Sequence, residues 1–190
     1  MFYYNDFFFE KDLCSYLISW FEESWDKLPI EYKKIHRKTE CIMMNKLIAN
    51  PDNIPNIFKK IYSDINYHGR KFNDKSYVNH IDFVKWPTGE KQNTHKDLPI
   101  YSSTSIIYLN DNFTGGETRV GDMNIKPKTG KIVSFTGQEY DHEVYEITKG
   151  TRYTLAVWYG TDDTSNINSQ SLDIDVQGDI YEYATYYVSS

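Results

Sequence analysis

A chain of 190 residues with a formal net charge of −6, 39% hydrophobic and 16% aromatic, can bury one real core and is too short for two ordinary domains. Its acidity speaks against a general nucleic-acid binder, its apolar content against wholesale disorder, and the lack of any run of about 18 apolar residues against a membrane span. Cys14 and Cys41 give no disulfide framework, and residues 1–9 lack a basic leader and a small-residue cleavage site, so a soluble, reducing, cytoplasmic setting is expected.

Phe2-Tyr3-Tyr4 reads as a short strand ended by Asn5-Asp6. Over 10–24, Leu13, Leu17, Trp20 and Phe21 recur at helical spacing, which predicts an amphipathic helix with Cys14 on or beside its buried face and Pro29 beyond its end. Residues 37–44 partly alternate and predict a strand. After Pro51, the positions Ile57, Phe58, Ile61 and Ile65 predict a second helix over 54–67, with Pro55 in its first turn and His68-Gly69-Arg70 ending it. From Tyr77 onward the runs become short, β-branched and aromatic: 77–86, 101–109, 117–120, 131–135, 142–147 and 152–159, most of them separated by Gly, Pro, Asn or Asp. Helices first and strands after predict a single, mainly β domain: a helical support region over 1–76, a β core over 77–160 and a C-terminal extension over 161–190, polar at first and then aromatic. Residues 31–80 are net basic and 161–190 net acidic, which reads as solvated faces, or as a basic surface that steers an acidic partner.

Two His-x-Asp pairs stand out, His80-Ile81-Asp82 and His95-Lys96-Asp97. In extended chain each pair puts an imidazole and a carboxylate on one face. One further histidine would complete the two-histidine, one-carboxylate arrangement that holds non-haem Fe(II) with open positions. Of the other histidines, His36 lies in a basic run and is expected to be exposed, His68 sits in the turn that ends the second helix, and His142 opens a predicted strand. Arg152 alternates with Thr154, Ala156 and Trp158 and so shares their face. An inward guanidinium in a small β core is costly unless an anion meets it, and its planar fork suits a carboxylate. The alternative is a structural ion pair with Glu143 or Glu146. The stretches 68–76 and 90–94 read as flexible loops able to close over a site.

Taken in order, His95-Lys96-Asp97, Tyr108-Leu109-Asn110, Gly115-Gly116-Glu117-Thr118, Pro127 to Gly130 leading to Phe135, His142, and Arg152 with Trp158 beyond it resemble the Fe(II)- and 2-oxoglutarate-dependent dioxygenases, in their prolyl 4-hydroxylase-like branch. The pattern of residues 2–23 is similar to the strand and first helix of the same branch. The resemblance implies a double-stranded β-helix, a jelly-roll or cupin-like core. It implies Fe(II) held by His95, Asp97 and His142, and 2-oxoglutarate bound through Arg152, with Tyr108 bonding the same distal carboxylate and Thr154 assisting. Ascorbate is a further candidate cofactor. Two positions depart from parts of the branch: Arg152 stands where collagen-type members usually carry Lys, and Trp86 stands where relatives often have Tyr beside the cosubstrate. An indole nitrogen donates and cannot accept. The implied activity is hydroxylation of a C–H bond, most simply of a prolyl residue in a peptide or protein, with 2-oxoglutarate converted to succinate and CO2. A free amino acid, a lysyl side chain or a methylated nucleobase are alternative substrates, and a catalytically inactive binding module is the non-enzymatic alternative. The intact set of three ligands and the arginine argues against that last reading.

Overall fold

Two β-rich stretches, Tyr77–Trp86 and Arg152–Gly160, pair antiparallel over nearly their whole lengths and form the centre of the molecule. The computed structural model describes residues 1–49 and 54–161, and the expectations for 162–190 and for the turn at Pro51 lie outside them. In chain order the elements are β1 (Phe2–Asn5), α1 (Lys11–Ser24), β2 (Lys33–His36), β3 (Thr39–Met43), α2 (Met44–Ala49), α3 (Ile57–Arg70), β4 (Tyr77–Trp86), β5 (Gln92–His95), β6 (Ser103–Tyr108), β7 (Thr114–Gly115), β8 (Thr118–Val120), β9 (Met123–Ile125), β10 (Ile132–Phe135), β11 (His142–Val144), β12 (Ile147–Lys149) and β13 (Arg152–Gly160). A seven-stranded sheet runs β1-β10-β6-β13-β4-β3-β2, a four-stranded sheet runs β5-β11-β8-β9, and β12 pairs with β7. This is the double-stranded β-helix expected of the sequence, a mainly β jelly roll buttressed by helices.

Register sorts every side chain of the large sheet onto one of two faces. One row runs Lys34, Cys41, Val84, Thr154, Tyr108 across five strands; the neighbouring rows set Trp86 opposite Arg152, Asp82 opposite Ala156 and Ile106, and His80 opposite Trp158 and Thr104. That face looks into the space between the sheets. The opposite face carries Ile42, Ile81, Phe83, Ile107, Leu155, Val157 and Tyr159, and it buries against Leu17 and Phe21 of α1 and Phe58, Ile61 and Ile65 of α3. Because both faces of β4 and β13 are covered, their alternation of polar and apolar residues is muted. The sequence nevertheless marks both strands through their β-branched and aromatic content.

Several expectations are corrected. The segment 90–94 is not a free loop: Gln92–His95 forms β5 and pairs with β11. The predicted strand 142–147 divides into β11 and β12 in different sheets. The second helix starts later and ends later than its apolar spacing suggests, so 68–70 are helical and His68 is buried, bonded to Ser134 Oγ at 2.9 Å. Residues 33–36 form a hairpin with β3 through Arg37 at φ 56°, which leaves His36 half-buried rather than exposed. The basic run hid this strand, because the partner of Lys34, Asp82, lies 48 residues further along the chain. Both cysteines are free and buried. No helix among the described residues is long and apolar enough to cross a membrane.

Phe21 is fully buried, with ring centroids 4.8 Å from Phe83 and 5.5 Å from Trp25. Phe21→Ala is expected to cost about 3–5 kcal/mol through the cavity it leaves between α1 and the sheet, read as a lowered urea midpoint with an unchanged slope.

Candidate active site

The space between the sheets is a cavity of about 160 Å3 lined by residues of β4, β5, β6, β8, β11 and β13. His95 closes β5 and His142 opens β11, and the register sets them directly opposite each other, with ring centroids 4.2 Å apart. Asp97 follows on the turn out of β5, anchored by its own N–H to the Gly137 carbonyl at 3.0 Å. One ligand atom from each of His95, Asp97 and His142 lies within 4.8 Å of the others, the only such group of histidine, cysteine and carboxylate residues among the described residues.

Backbone carbonyls fix how the two rings present themselves. A carbonyl only accepts, so His95 Nδ1–H donates to Asn93 O at 2.8 Å and His142 Nδ1–H to Tyr140 O at 3.1 Å, which leaves both Nε2 atoms as lone-pair donors. Asp97 is held just as closely. Trp158 Nε1–H donates to its Oδ1 at 3.1 Å, and the Thr104 hydroxyl donates to its Oδ2. A Cβ on Gly137 would collide with that same carboxylate, so only glycine fits there. Burial alone would raise the Asp97 carboxyl, but a protonated His142, its Nε2 3.6 Å from Oδ1, together with Thr104, outweighs it and holds the group below the usual carboxylate range. Burial lowers His95, and the His142 charge adds to that; in His142 the same burial is outweighed by Asp97, which raises it. With both imidazoles in their neutral form, they and the one carboxylate, each oriented by a further hydrogen bond, make a donor set that fits Fe(II).

Arg152 lies at the other end of the β13 row, only 1% exposed. Neither Glu143 nor Glu146 reaches it: Glu143 pairs with Arg119 Nε at 2.5 Å, and among the described residues no carboxylate pairs with Arg152. Its NH2 group bonds Thr118 Oγ1 at 3.2 Å, its NH1 group reaches Thr154 Oγ1 at 3.5 Å, and Nε has no partner. Burial pulls the guanidinium below its usual range, with the charge and bond of Tyr108 opposing. Tyr108, fully buried, donates to Thr118 Oγ1 at 2.6 Å. The Trp86 ring lies 5.6 Å from the guanidinium carbon, and its Nε1–H is also buried without a partner. Two unpartnered buried N–H donors around an uncompensated cation make a receptor for an anion, and a carboxylate fits it. Gly116, at φ +68°, lets the chain pass this pocket, since a Cβ there would press on Arg152, Ile147 and Phe113.

The second His-x-Asp pair does something else. His80 Nε2 meets Asp82 Oδ1 at 2.6 Å and Lys34 Nζ meets Asp82 Oδ2 at 3.2 Å, all three nearly closed off from water. Burial would raise the Asp82 carboxyl, but the charges of His80 and Lys34 outweigh it and bring it to about 2.

All seven residues singled out in the sequence thus surround one cavity or its deep end. The sequence reading missed four contributors. Thr118, the last residue of Gly-Gly-Glu-Thr, is where Arg152 and Tyr108 both bond. Thr104 and Trp158, the latter noted only as sharing the Arg152 face and as part of the resemblance, grip Asp97. Gly137 makes room for that carboxylate. Alternation along β6 would have put Thr104 on the Tyr108 face, whereas nothing local marks Gly137.

A family model described as the 2OG-Fe(II) oxygenase superfamily matches residues 65–160. Among curated proteins the chain is similar to prolyl 3-hydroxylase 2 of Homo sapiens, 35% identical over 101 residues that make up 47% of this chain and 14% of that protein. It is also similar to human prolyl 3-hydroxylase 3, 34% identical over 64 residues, 30% of this chain and 9% of that protein. It therefore spans a small part of these relatives' length. Among solved structures it shares its fold with the viral collagen prolyl hydroxylase of Paramecium bursaria Chlorella virus-1 in complex with 2OG (TM-score 0.60, 19% identity, 84% of this chain and 95% of that one). A Pseudomonas putida prolyl-4-hydroxylase has the same fold (TM-score 0.61, 18% identity, 84% and 92%).

The lowered Asp82 carboxyl makes a thermodynamic prediction. A depressed carboxyl contributes stability that is present above the unfolded value, about 3.9, and lost as pH falls through the folded one. Asp82→Asn should therefore be less stable than the wild type at pH 6, and the gap should narrow by about 2 kcal/mol on acidification from pH 5 towards pH 2, measured by urea unfolding across that range.

Proposed function

Given that the chain belongs to the 2OG-Fe(II) oxygenase superfamily, we propose that it is a 2-oxoglutarate-dependent dioxygenase that hydroxylates a prolyl residue in a peptide or protein. The observation that carries this reading is the buried, uncompensated Arg152 guanidinium, whose row runs along the same sheet face to the residues that grip Asp97. On this reading residues 1–160 act as one catalytic unit, with 1–76 buttressing the sheet and 77–160 carrying the site. His95, Asp97 and His142 hold the iron. Arg152, Tyr108, Thr154 and Trp86 receive 2-oxoglutarate at its distal carboxylate, and Thr118 tethers the first two.

Fe(II) with 2-oxoglutarate supplies the oxidising chemistry when bound, consuming O2, yielding succinate and CO2, and leaving a hydroxyl on a substrate carbon. The residues of this chain bind and orient. The Asn93 and Tyr140 carbonyls keep both imidazoles in the liganding tautomer. Trp158 and Thr104 each bond one oxygen of Asp97 and so hold at a fixed orientation the carboxylate that would help hold the iron. The Trp86 indole donates without accepting, so it favours an ionised carboxylate over a neutral group. The apolar wall of Val84, Ile106, Val144 and Ala156 excludes water from the reacting centre. The prolyl hydroxylase names of the relatives support the substrate class, and the site's intact ligands support turnover over a binding role.

The test is succinate release from 2-oxoglutarate with Fe(II) and proline-containing peptides, coupled to mass detection of a +16 product. Absence of succinate release both with and without peptide would refute the proposal. Removing the cation from its anion should cost about 3–5 kcal/mol, so Arg152→Leu is expected to raise the KM for 2-oxoglutarate by about 10²–10³-fold. Gly137→Ala should push the Asp97 carboxylate aside and weaken divalent-metal affinity about 10–100-fold, read by titration with Co(II) while the circular dichroism spectrum stays that of the wild type.

A further inference from the structure

The end of the cavity away from Arg152 is built from Tyr101, Trp158 and His80, none of which the cosubstrate needs. Trp158 is flanked by the other two rings, at 5.5 Å from His80 and 6.0 Å from Tyr101. Tyr101 follows Asp97 in the turn that enters β6. Its backbone is pinned on both sides: its N–H donates to Leu98 O at 3.0 Å, and its carbonyl accepts from Gln138 Nε2 at 2.5 Å. Its hydroxyl makes no hydrogen bond among the described residues, although it lies near enough to feel the charges of both Asp82 and Asp97. Burial, followed by those two carboxylates, raises it far above the ordinary phenol range, so it stays an O–H donor at every working pH.

Charge accounting narrows what this end can take. The cavity wall carries the carboxylates Asp82, Asp97 and Glu143. Asp97 belongs to the liganding group, Asp82 is met by Lys34 and His80, and Glu143 by Arg119 and the Thr94 hydroxyl. No wall carboxylate is left over for a substrate ammonium, and exposed Lys96 adds a cation to the lining. A lysyl side chain or a free amino acid would bring in a charge without a counterion. What remains at that end is a set of aromatic faces with no free carboxylate and with one hydroxyl, that of Tyr101, left unbonded among the described residues. Aromatic-lined grooves are also where proline rings dock.

We propose that the Tyr101 hydroxyl is a substrate-positioning donor that bonds the carbonyl of the peptide bond preceding the target proline, while the faces of Trp158 and Tyr101 hold the pyrrolidine ring. The proposal rests on the prolyl hydroxylase reading above and adds the recognition element that reading lacks. The choice of carbonyl follows from rigidity. The amide before proline is planar and its nitrogen is part of the ring, so fixing that oxygen fixes the ring carbons; the carbonyl after proline can still rotate about ψ. Proline has no N–H to satisfy, which matches a wall that offers a donor and demands none.

The experiment is a double substitution across protein and substrate. Wild type and Tyr101→Phe, which keeps the ring, are each assayed with a proline-containing peptide and with its thioamide analogue, in which the oxygen before proline is replaced by sulfur, a weaker acceptor. The peptide is one on which the wild-type chain has yielded the +16 product. One neutral hydrogen bond corresponds to about a threefold to tenfold effect. In the wild type the thioamide should raise the peptide KM by that factor. In Tyr101→Phe the KM for the ordinary peptide should rise equally, and the thioamide should add no further penalty, with the KM for 2-oxoglutarate unmoved. Equal thioamide penalties in both proteins, or an unchanged peptide KM in Tyr101→Phe, would overturn the role of Tyr101 and leave the prolyl reading standing. If the wild type hydroxylates no proline-containing peptide but oxidises methyl-lysine or a free amino acid, the substrate reading fails and this inference falls with it.

Discussion

A guanidinium closed off from water without a carboxylate partner is the constraint on which the rest of the site depends. Burying Arg152 costs several kcal/mol that the described residues do not return, since its contacts are two threonine hydroxyls and the faces of Trp86 and Tyr108. The cost is sustained by the long β4–β13 pairing and by the helical layer behind it, where the apolar face of the sheet buries Phe21, Phe58, Phe83 and Leu155. Stability is therefore concentrated on one side of the large sheet and strain on the other. An anion placed against Arg152 would meet donors already held in position by the strand, so little ordering of the protein would be needed to receive it.

The same register that isolates Arg152 also sets distances. Five residues of β13 lie between Arg152 and Trp158, and of these Thr154 and Ala156 share their face of the strand. Arg152 and the aromatic end are thus at opposite ends of one strand, with His95, Asp97 and His142 across from them on the small sheet and on the turn after β5. A rigid strand is a better ruler than a loop. Only Asp97 and Tyr101 come from irregular chain, and each is tied down: Asp97 by Trp158, Thr104 and Gly137, and Tyr101 by Gln138 and Leu98.

Much of this could be read from the residues. Strands β4 and β13 came out nearly to the residue, because long β-branched and aromatic runs signal strands even when both faces are buried. Helix α1 came out of its spacing alone. The candidate ligands and Arg152 followed from residue chemistry and the resemblance. What stayed hidden depends on partners distant in sequence. Strand β5 (Gln92–His95) is polar and short, and only pairing to β11 makes it a strand. Thr118 and Gly137 have roles defined by Arg152 and Asp97 arriving from elsewhere in the chain. His68 read as part of the turn that ends the second helix, and its burial stayed hidden because its partner Ser134 lies 66 residues away.

The two His-x-Asp pairs show why a motif of three residues underdetermines chemistry. His80 and Asp82 sit in the middle of a regular strand, where neighbours on one face are close enough to bond each other, and they do: His80 Nε2 is engaged by Asp82 Oδ1. The carboxylate's other oxygen goes to Lys34, so both oxygens of Asp82 are taken. His95 closes a strand and Asp97 lies past its end, so the carboxylate turns towards Trp158 and Thr104 and does not take up its own histidine. Meanwhile the Asn93 carbonyl occupies His95 Nδ1 and leaves Nε2 pointing at His142 and Asp97. The difference between a liganding pair and a closed pair is therefore one of backbone: whether the chain stays extended through the aspartate or turns at it. The closed pair in turn leaves no free carboxylate on the far wall of the cavity, where the aromatic faces of Tyr101 and Trp158 are what a substrate entering there would meet.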